Sequence, residues 1–205
     1  MAKIKIFGLR REQDIEAVNA ALPDYIGFVF ARSKRQIDEQ QAERLKAKLN
    51  PAIKAVGVFV NADPERIINL CHSQVIDLIQ LHGDEDEDYL KRLRSRVANK
   101  IIKAVRVKEA QDIMKALDFP CDYLLFDAFR EGEYGGSGRT FDWSLLPQIP
   151  KPYFLAGGIN ADNIAQALTE HDPYGLDVSS GAETNGWKDP KKIWDIVARV
   201  RQFKA

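Results

Sequence analysis

Short apolar runs alternate with amphipathic stretches along the whole chain. The runs fall at residues 4–7, 25–30, 55–60, 78–81, 101–107, 123–126, 153–155 and 176–178. They are rich in Val, Ile, Phe and Tyr, as strands buried on both faces of a parallel sheet should be. Between them the apolar residues follow helical spacing. Ile15, Val18 and Leu22 share a face, as do Ala42, Leu45 and Leu49, and Leu90, Leu93 and Val97. Asp63-Pro64 and Asp189-Pro190 each set a capping carboxylate before a proline suited to the first helical position.

Eight strands and eight connecting segments in 205 residues leave about 25 residues per unit. That count predicts an α/β fold, a single (β/α)8 TIM barrel spanning residues 1–205, with no internal domain boundary. An open doubly wound sheet is the alternative. It would want a G-x-G-x-x-G turn after the first strand, where this chain has Gly8-Leu9-Arg10.

Composition narrows the class. Thirty Lys plus Arg balance thirty Asp plus Glu, which argues against a sequence-independent nucleic-acid binder. No apolar run approaches the ~18 residues that span a bilayer, so no membrane association is expected. The start of the chain lacks the apolar core of a signal peptide, and a cytoplasmic location follows as the expectation. Cys71 and Cys121 form no disulfide framework, and no His, Asp or Cys cluster has metal-ligand spacing.

A closed parallel barrel carries its active site at the C-terminal ends of its strands. The polar residues there are Arg35, Asn61, Gln80, His82, Arg106, Asp127, Asp177 and Ser179-Ser180-Gly181, with Gly157-Gly158 ending strand 7. Glycines let backbone N–H groups approach an anion, and serines add donors. The loops after strands 7 and 8 are therefore candidate phosphate binders. Asp127 emerges from Leu124-Leu125-Phe126 into the mouth and is a candidate general acid. The bland alternative is a structural carboxylate paired with Arg35 or Arg106. Asp177 carries the same two readings, with a third in which it holds a substrate hydroxyl or amine. His82 is read first as a hydrogen-bonded structural residue; His72 and His171 are expected in helices. Trp187 and Trp194 are expected to pack in the core. Glu133-Tyr134-Gly135-Gly136-Ser137-Gly138-Arg139-Thr140 fits a closing lid better than a P-loop, because Arg139 stands where lysine is needed.

These segments together resemble phosphoribosylanthranilate isomerase, an enzyme of tryptophan biosynthesis. The resemblance runs through Lys5-Ile6-Phe7-Gly8-Leu9, Gly27-Phe28-Val29-Phe30 with Ser33-Lys34-Arg35, Val56-Gly57-Val58-Phe59-Val60-Asn61 and Gln80-Leu81-His82-Gly83. It continues through Asp127, Tyr134-Gly135-Gly136-Ser137-Gly138 with Phe141-Asp142-Trp143, Ala156-Gly157-Gly158-Ile159 and Asp177-Val178-Ser179-Ser180-Gly181. It implies a TIM barrel and a cofactor-free Amadori rearrangement. The substrate is N-(5'-phosphoribosyl)anthranilate and the product 1-(2-carboxyphenylamino)-1-deoxyribulose 5-phosphate. It also implies Asp127 as general acid, and a phosphate held by Gly157, Gly158, Ser179, Ser180 and Gly181. Arg35, Gln80, His82 and Asp177 would line the rest of the substrate, in a monomer or homodimer.

One position departs from the pattern. The family's general base is a cysteine within K-I-C-G, and here that position is Phe7, whose ring has no lone pair to take a proton. The resemblance thus implies an isomerase impaired at its base. The alternative is a catalytically silent barrel that binds a phosphorylated sugar or an aromatic ligand.

Overall fold

The computed structural model describes residues 1–128 and 142–203. Eight parallel strands close into one barrel: β1 (Lys3–Phe7), β2 (Tyr25–Val29), β3 (Lys54–Phe59), β4 (Leu78–Leu81), β5 (Lys100–Val107), β6 (Tyr123–Ala128), β7 (Tyr153–Leu155) and β8 (Gly175–Val178). The closing seam pairs Lys5 with Asp177 and Ile6 with Val178. All eight apolar runs are strands, as expected, with ends shifted by at most two residues.

Seven α-helices ring the barrel among the described residues: α1 (Glu12–Ala21), α2 (Glu39–Ala47), α3 (Pro64–His72), α4 (Glu87–Arg94), α5 (Ala110–Ala116), α6 (Ile164–His171) and α7 (Pro190–Gln202). Asp63 and Asp189 cap α3 and α7, accepting from the N–H groups of Glu65 and Lys191. After β6 the described connection is a single 3-10 turn, Trp143–Leu145, capped by Asp142. Leu22 does not share the buried face of Ile15 and Val18. It ends α1 in the left-handed conformation, φ +54°, and is exposed there. No helix among the described residues is long and apolar enough to cross a membrane.

Strand alternation divides the interior from the outer core. Ile4 and Ile6 of β1 join the apolar layer that meets the helices. Inside the barrel, a smaller apolar cluster includes Val56, Leu78, Ile102, Leu125 and Phe154. Tyr25, Tyr123 and Tyr174 surround Phe154 toward the N-terminal ends of the strands. Toward the C-terminal ends the interior turns polar, with Lys5, Gln80, His82, Asp127 and Asp177 all buried.

Both tryptophans expected in the core lie outside it. Trp187 is 44% exposed and Trp194 62% exposed. Trp194 is on the solvent side of α7, whose buried face is Ile193, Ile196, Val197 and Val200. Trp187 sits on a two-strand hairpin after β8, β9 (Glu183–Thr184) and β10 (Trp187–Lys188), turned by Asn185 and Gly186 at φ +52° and +78°. Positive φ at both turn residues is the geometry that Asn-Gly favours.

Candidate active site

Four of the five buried polar residues of the upper barrel are hydrogen-bonded in series, and the fifth, Asp127, faces the end of that series. Lys5 Nζ donates to Asp177 Oδ2 at 2.9 Å and to Gln80 Oε1 at 2.6 Å. A lysine ammonium only donates, so Lys5 fixes the orientation of the Gln80 amide. Gln80 Nε2 then donates to His82 Nδ1 at 2.9 Å, which puts the imidazole proton on Nε2. That nitrogen lies 3.5 Å from Asp127 Oδ2, too far for a firm hydrogen bond. Asp127 Oδ1 accepts from the N–H of Ala128 at 2.8 Å.

The structural pairing of Asp127 with an arginine is not what forms. Arg35 binds Glu183, and Arg106 Nη2 donates to Asp84 at 2.6 Å. His82 is hydrogen-bonded, as expected, and it also faces Asp127. Burial pushes the Asp177 carboxyl above its ordinary value, against the pull of the Lys5 ammonium. Burial likewise lowers Lys5, against the pull of Asp177. Asp177 Oδ1, His82 Nε2 and Ser179 Oγ are buried with no hydrogen-bond partner among the described residues. Unpaired polar atoms of this kind each cost about 1–3 kcal/mol. Their gathering at one end of the barrel marks a surface built for a ligand.

Phe7 ends β1 on the same face as Lys5, whose Nζ lies 5.0 Å from the ring centroid. Gly27 stands opposite; a Cβ there would lie 3.3 Å from Phe7 Cδ2 and 3.5 Å from Lys5 Cε. The ring and the lysine stem therefore occupy space that the missing side chain leaves.

The glycine loops pack against this cluster. Gly157 and Gly158 have φ of +77° and +69°, and a Cβ on Gly157 would sit 3.1 Å from Asp127 Oδ1. Asn160 and Asn163 hold the turn by donating to the Gly158 carbonyl, each at 3.1 Å. Gly181 is tighter still, since a Cβ would fall 2.2 Å from the carbonyl oxygen of Ile159. The loops after β7 and β8 are thus in backbone contact. Ser180 opens a 3-10 turn, Ser180–Ala182, directly after Ser179.

Arg35 is placed by a carboxylate that its sequence context did not reveal. Its Nε and Nη2 donate to Glu183 Oε1 and Oε2 at 2.7 and 2.8 Å. Glu183 Oε1 also accepts from Lys188 Nζ at 2.7 Å, and Lys188 reaches the Ser179 carbonyl at 2.9 Å. Arg35 and Lys188 together hold Glu183 down at about 2 despite its burial. Burial in turn lowers Lys188 to about 8, against the pull of Glu183. The stem of Arg35 crosses Gly8, where a Cβ would be 2.4 Å from its Cδ.

Asn61 serves the scaffold. Its Oδ1 accepts from the N–H of Asp84, and its N–H donates to Glu85, which is ion-paired with Lys103 at 2.7 Å. Among the described residues no group of three His, Cys, Asp or Glu could hold a metal ion. His72 and His171 end α3 and α6, as expected. The lid segment, residues 133–140, lies outside the described residues.

The family model for N-(5'-phosphoribosyl)anthranilate isomerase matches residues 4–199. The chain belongs to this family. The isomerase of Endomicrobium trichonymphae is 51% identical over 203 residues, covering 99% of this chain and 100% of its own. The crystal structure of phosphoribosyl anthranilate isomerase from Thermotoga maritima superposes with a TM-score of 0.89 at 32% identity, covering 99% of this chain and all of that one. A further isomerase structure, in complex with reduced 1-(o-carboxyphenylamino)-1-deoxyribulose 5-phosphate, aligns with a TM-score of 0.85. Its identity is 31%, with 99% of this chain and all of that one covered. The TIM barrel expected of this family is the fold described above.

Proposed function

We propose that the polar residues at the top of this barrel carry out the family's rearrangement with Asp127 as the acid and no catalytic group at position 7. The chain is an aldose–ketose isomerase of tryptophan biosynthesis. It converts N-(5'-phosphoribosyl)anthranilate to 1-(2-carboxyphenylamino)-1-deoxyribulose 5-phosphate. Protonation of the ribose ring oxygen opens the sugar to a Schiff base. Removal of the C2' proton then gives an enolamine that relaxes to the ketone.

The observation that carries the assignment is the convergence of Asp127, His82 and Asp177 beside two glycine loops. Gly157, Gly158, Ser179, Ser180 and Gly181 take the phosphate, with the unpaired Ser179 Oγ as one donor. Arg35 and His82 line the anthranilate and sugar ends, and Gln80 sets the imidazole of His82. No cofactor enters this scheme. The chain works in the cytoplasm, as a monomer or homodimer, and binds no nucleic acid.

Asp127→Asn tests the acid. With the chain otherwise intact, turnover should fall by about 10²–10⁴, the usual contribution of a positioned acid. Binding of a reduced product analogue should change little. An Asp127→Asn protein that turns over at the parent rate would remove Asp127 from the acid role.

A further inference from the structure

The mechanism above needs a group to take the C2' proton, and Phe7 offers none. We infer that Asp177 is the general base of this chain, working beside the position that the phenyl ring occupies. The inference rests on the isomerase reading just given and concerns one residue within it.

Three observations point to Asp177. Its Oδ1 is buried and has no hydrogen-bond partner among the described residues, so a lone pair is left for a substrate proton. Its Oδ2 is pinned by Lys5 Nζ at 2.9 Å, which fixes the carboxylate plane. The same Nζ lies 5.0 Å from the Phe7 ring centroid, so one ammonium links the carboxylate to the ring that fills the position in question. Asp127, the other carboxylate of this buried cluster, spends Oδ1 on the Ala128 N–H and already holds the acid role in the reading above. Burial raises Asp177 toward the range in which a carboxylate is an effective base near neutral pH. The charged and titratable groups that face it are Lys5 on β1, His82 just past β4 and Asp127 on β6.

The proton balance closes within the site. Asp127 gives its proton to the ring oxygen as the C1'–O bond breaks, and the anilino nitrogen lone pair forms the C1'=N bond. Asp177 takes the C2' proton. The C–H electron pair becomes the C1'=C2' bond, and the C=N π pair returns to nitrogen. Asp177 then delivers its proton to C1', while the enol hydroxyl returns one to Asp127. Both carboxyls end as they began, and no co-reactant is consumed.

The test places Asp177→Asn in the present chain and in Phe7→Cys. With Phe7, kcat should fall at least a hundredfold with little change in KM. With cysteine present, the same substitution should cost less than tenfold in kcat. Equal losses in both backgrounds would make Asp177 a binding residue and overturn the inference. Asparagine still accepts from Lys5 but leaves its charge buried without a counterion. A second reading needs no change at Asp177. The acid limb of kcat/KM should lie in a raised carboxylate range for the present chain and move upward, toward the thiol range near ~8.5, in Phe7→Cys. A limb that does not move overturns the assignment. Turnover by Phe7→Cys with none by the present chain overturns it too but keeps the family reaction. No turnover by either protein overturns the isomerase reading itself.

Discussion

Lys5 and Asp177 face each other across the seam where β1 and β8 close the barrel, Nζ 2.9 Å from Oδ2, with both side chains almost wholly buried. An ammonium inside a barrel must be met by an acceptor on every side that packing leaves open. Here Asp177 and Gln80 supply them. Breaking such a pair by removing one partner costs about 3–5 kcal/mol, because the other charge stays buried and alone. Lys5→Met should therefore lower the urea midpoint by an amount of that order. Lys5→Met combined with Asp177→Asn should recover part of the loss. A Lys5→Met protein as stable as the parent would mean that the pair does not hold the seam.

Glu183 gives the acid limb of stability a direction. Its folded value, about 2, lies below its ordinary 4.5, with Arg35 and Lys188 holding it down against burial. The unfolded chain thus binds this proton first as pH falls. The contribution is complete above about 4.5 and is lost on the way down to about 2. Glu183→Gln should flatten the melting temperature between those pH values relative to the parent. Asp24, held low by Lys3, Ile4 N–H and Arg201 against burial, will supply part of the remaining slope.

Gly181 is where the phosphate loops are least forgiving. A methyl group 2.2 Å from the Ile159 carbonyl must push the two loops apart. Gly181→Ala should weaken binding of the reduced product analogue by tenfold or more. Overpacking of this kind also typically costs about 1–3 kcal/mol of stability. Unchanged affinity in calorimetry would place the phosphate elsewhere.

The hairpin after β8 clamps the rim through Trp187. The guanidinium carbons of Arg10 and Arg11 lie 4.1 and 4.2 Å from its ring centroid. Arg10 also donates to the carbonyls of Lys34 and Gly186 at 2.6 and 2.7 Å. Exposed cation–π contacts contribute about 0.5–1 kcal/mol each. Trp187→Ala should cost stability on that scale and raise KM severalfold with kcat retained, because Arg35 shares this rim. A fall in kcat at constant KM would contradict the clamp.

The barrel was legible because apolar runs and capped amphipathic stretches alternate in one sense throughout. The site was legible where a polar residue ends a strand: Asp127, His82 and Asp177 do converge. Lys5 escaped because it interrupts an apolar run, Ile4 to Phe7, that reads as one block. Period-two alternation would have put Lys5 and Phe7 together on the inner face. Glu183 and Lys188 carry no strand-end signal of their own; they meet only through the hairpin turned by Asn185-Gly186, whose two strands are two residues each. The tryptophans were misplaced because aromatic character says nothing about which helix or hairpin face is covered. Trp194 occupies the solvent face of α7, and two arginines cover Trp187.

The account stands most directly on whether this chain turns over with phenylalanine at position 7. The decay of substrate fluorescence should be followed with freshly made N-(5'-phosphoribosyl)anthranilate, for the chain as it is and for Phe7→Cys. The account predicts decay in both, with the present chain within about a hundredfold of the cysteine variant. An isomerase with no base at all would lag by about 10²–10⁴. Decay with the cysteine variant alone would contradict it.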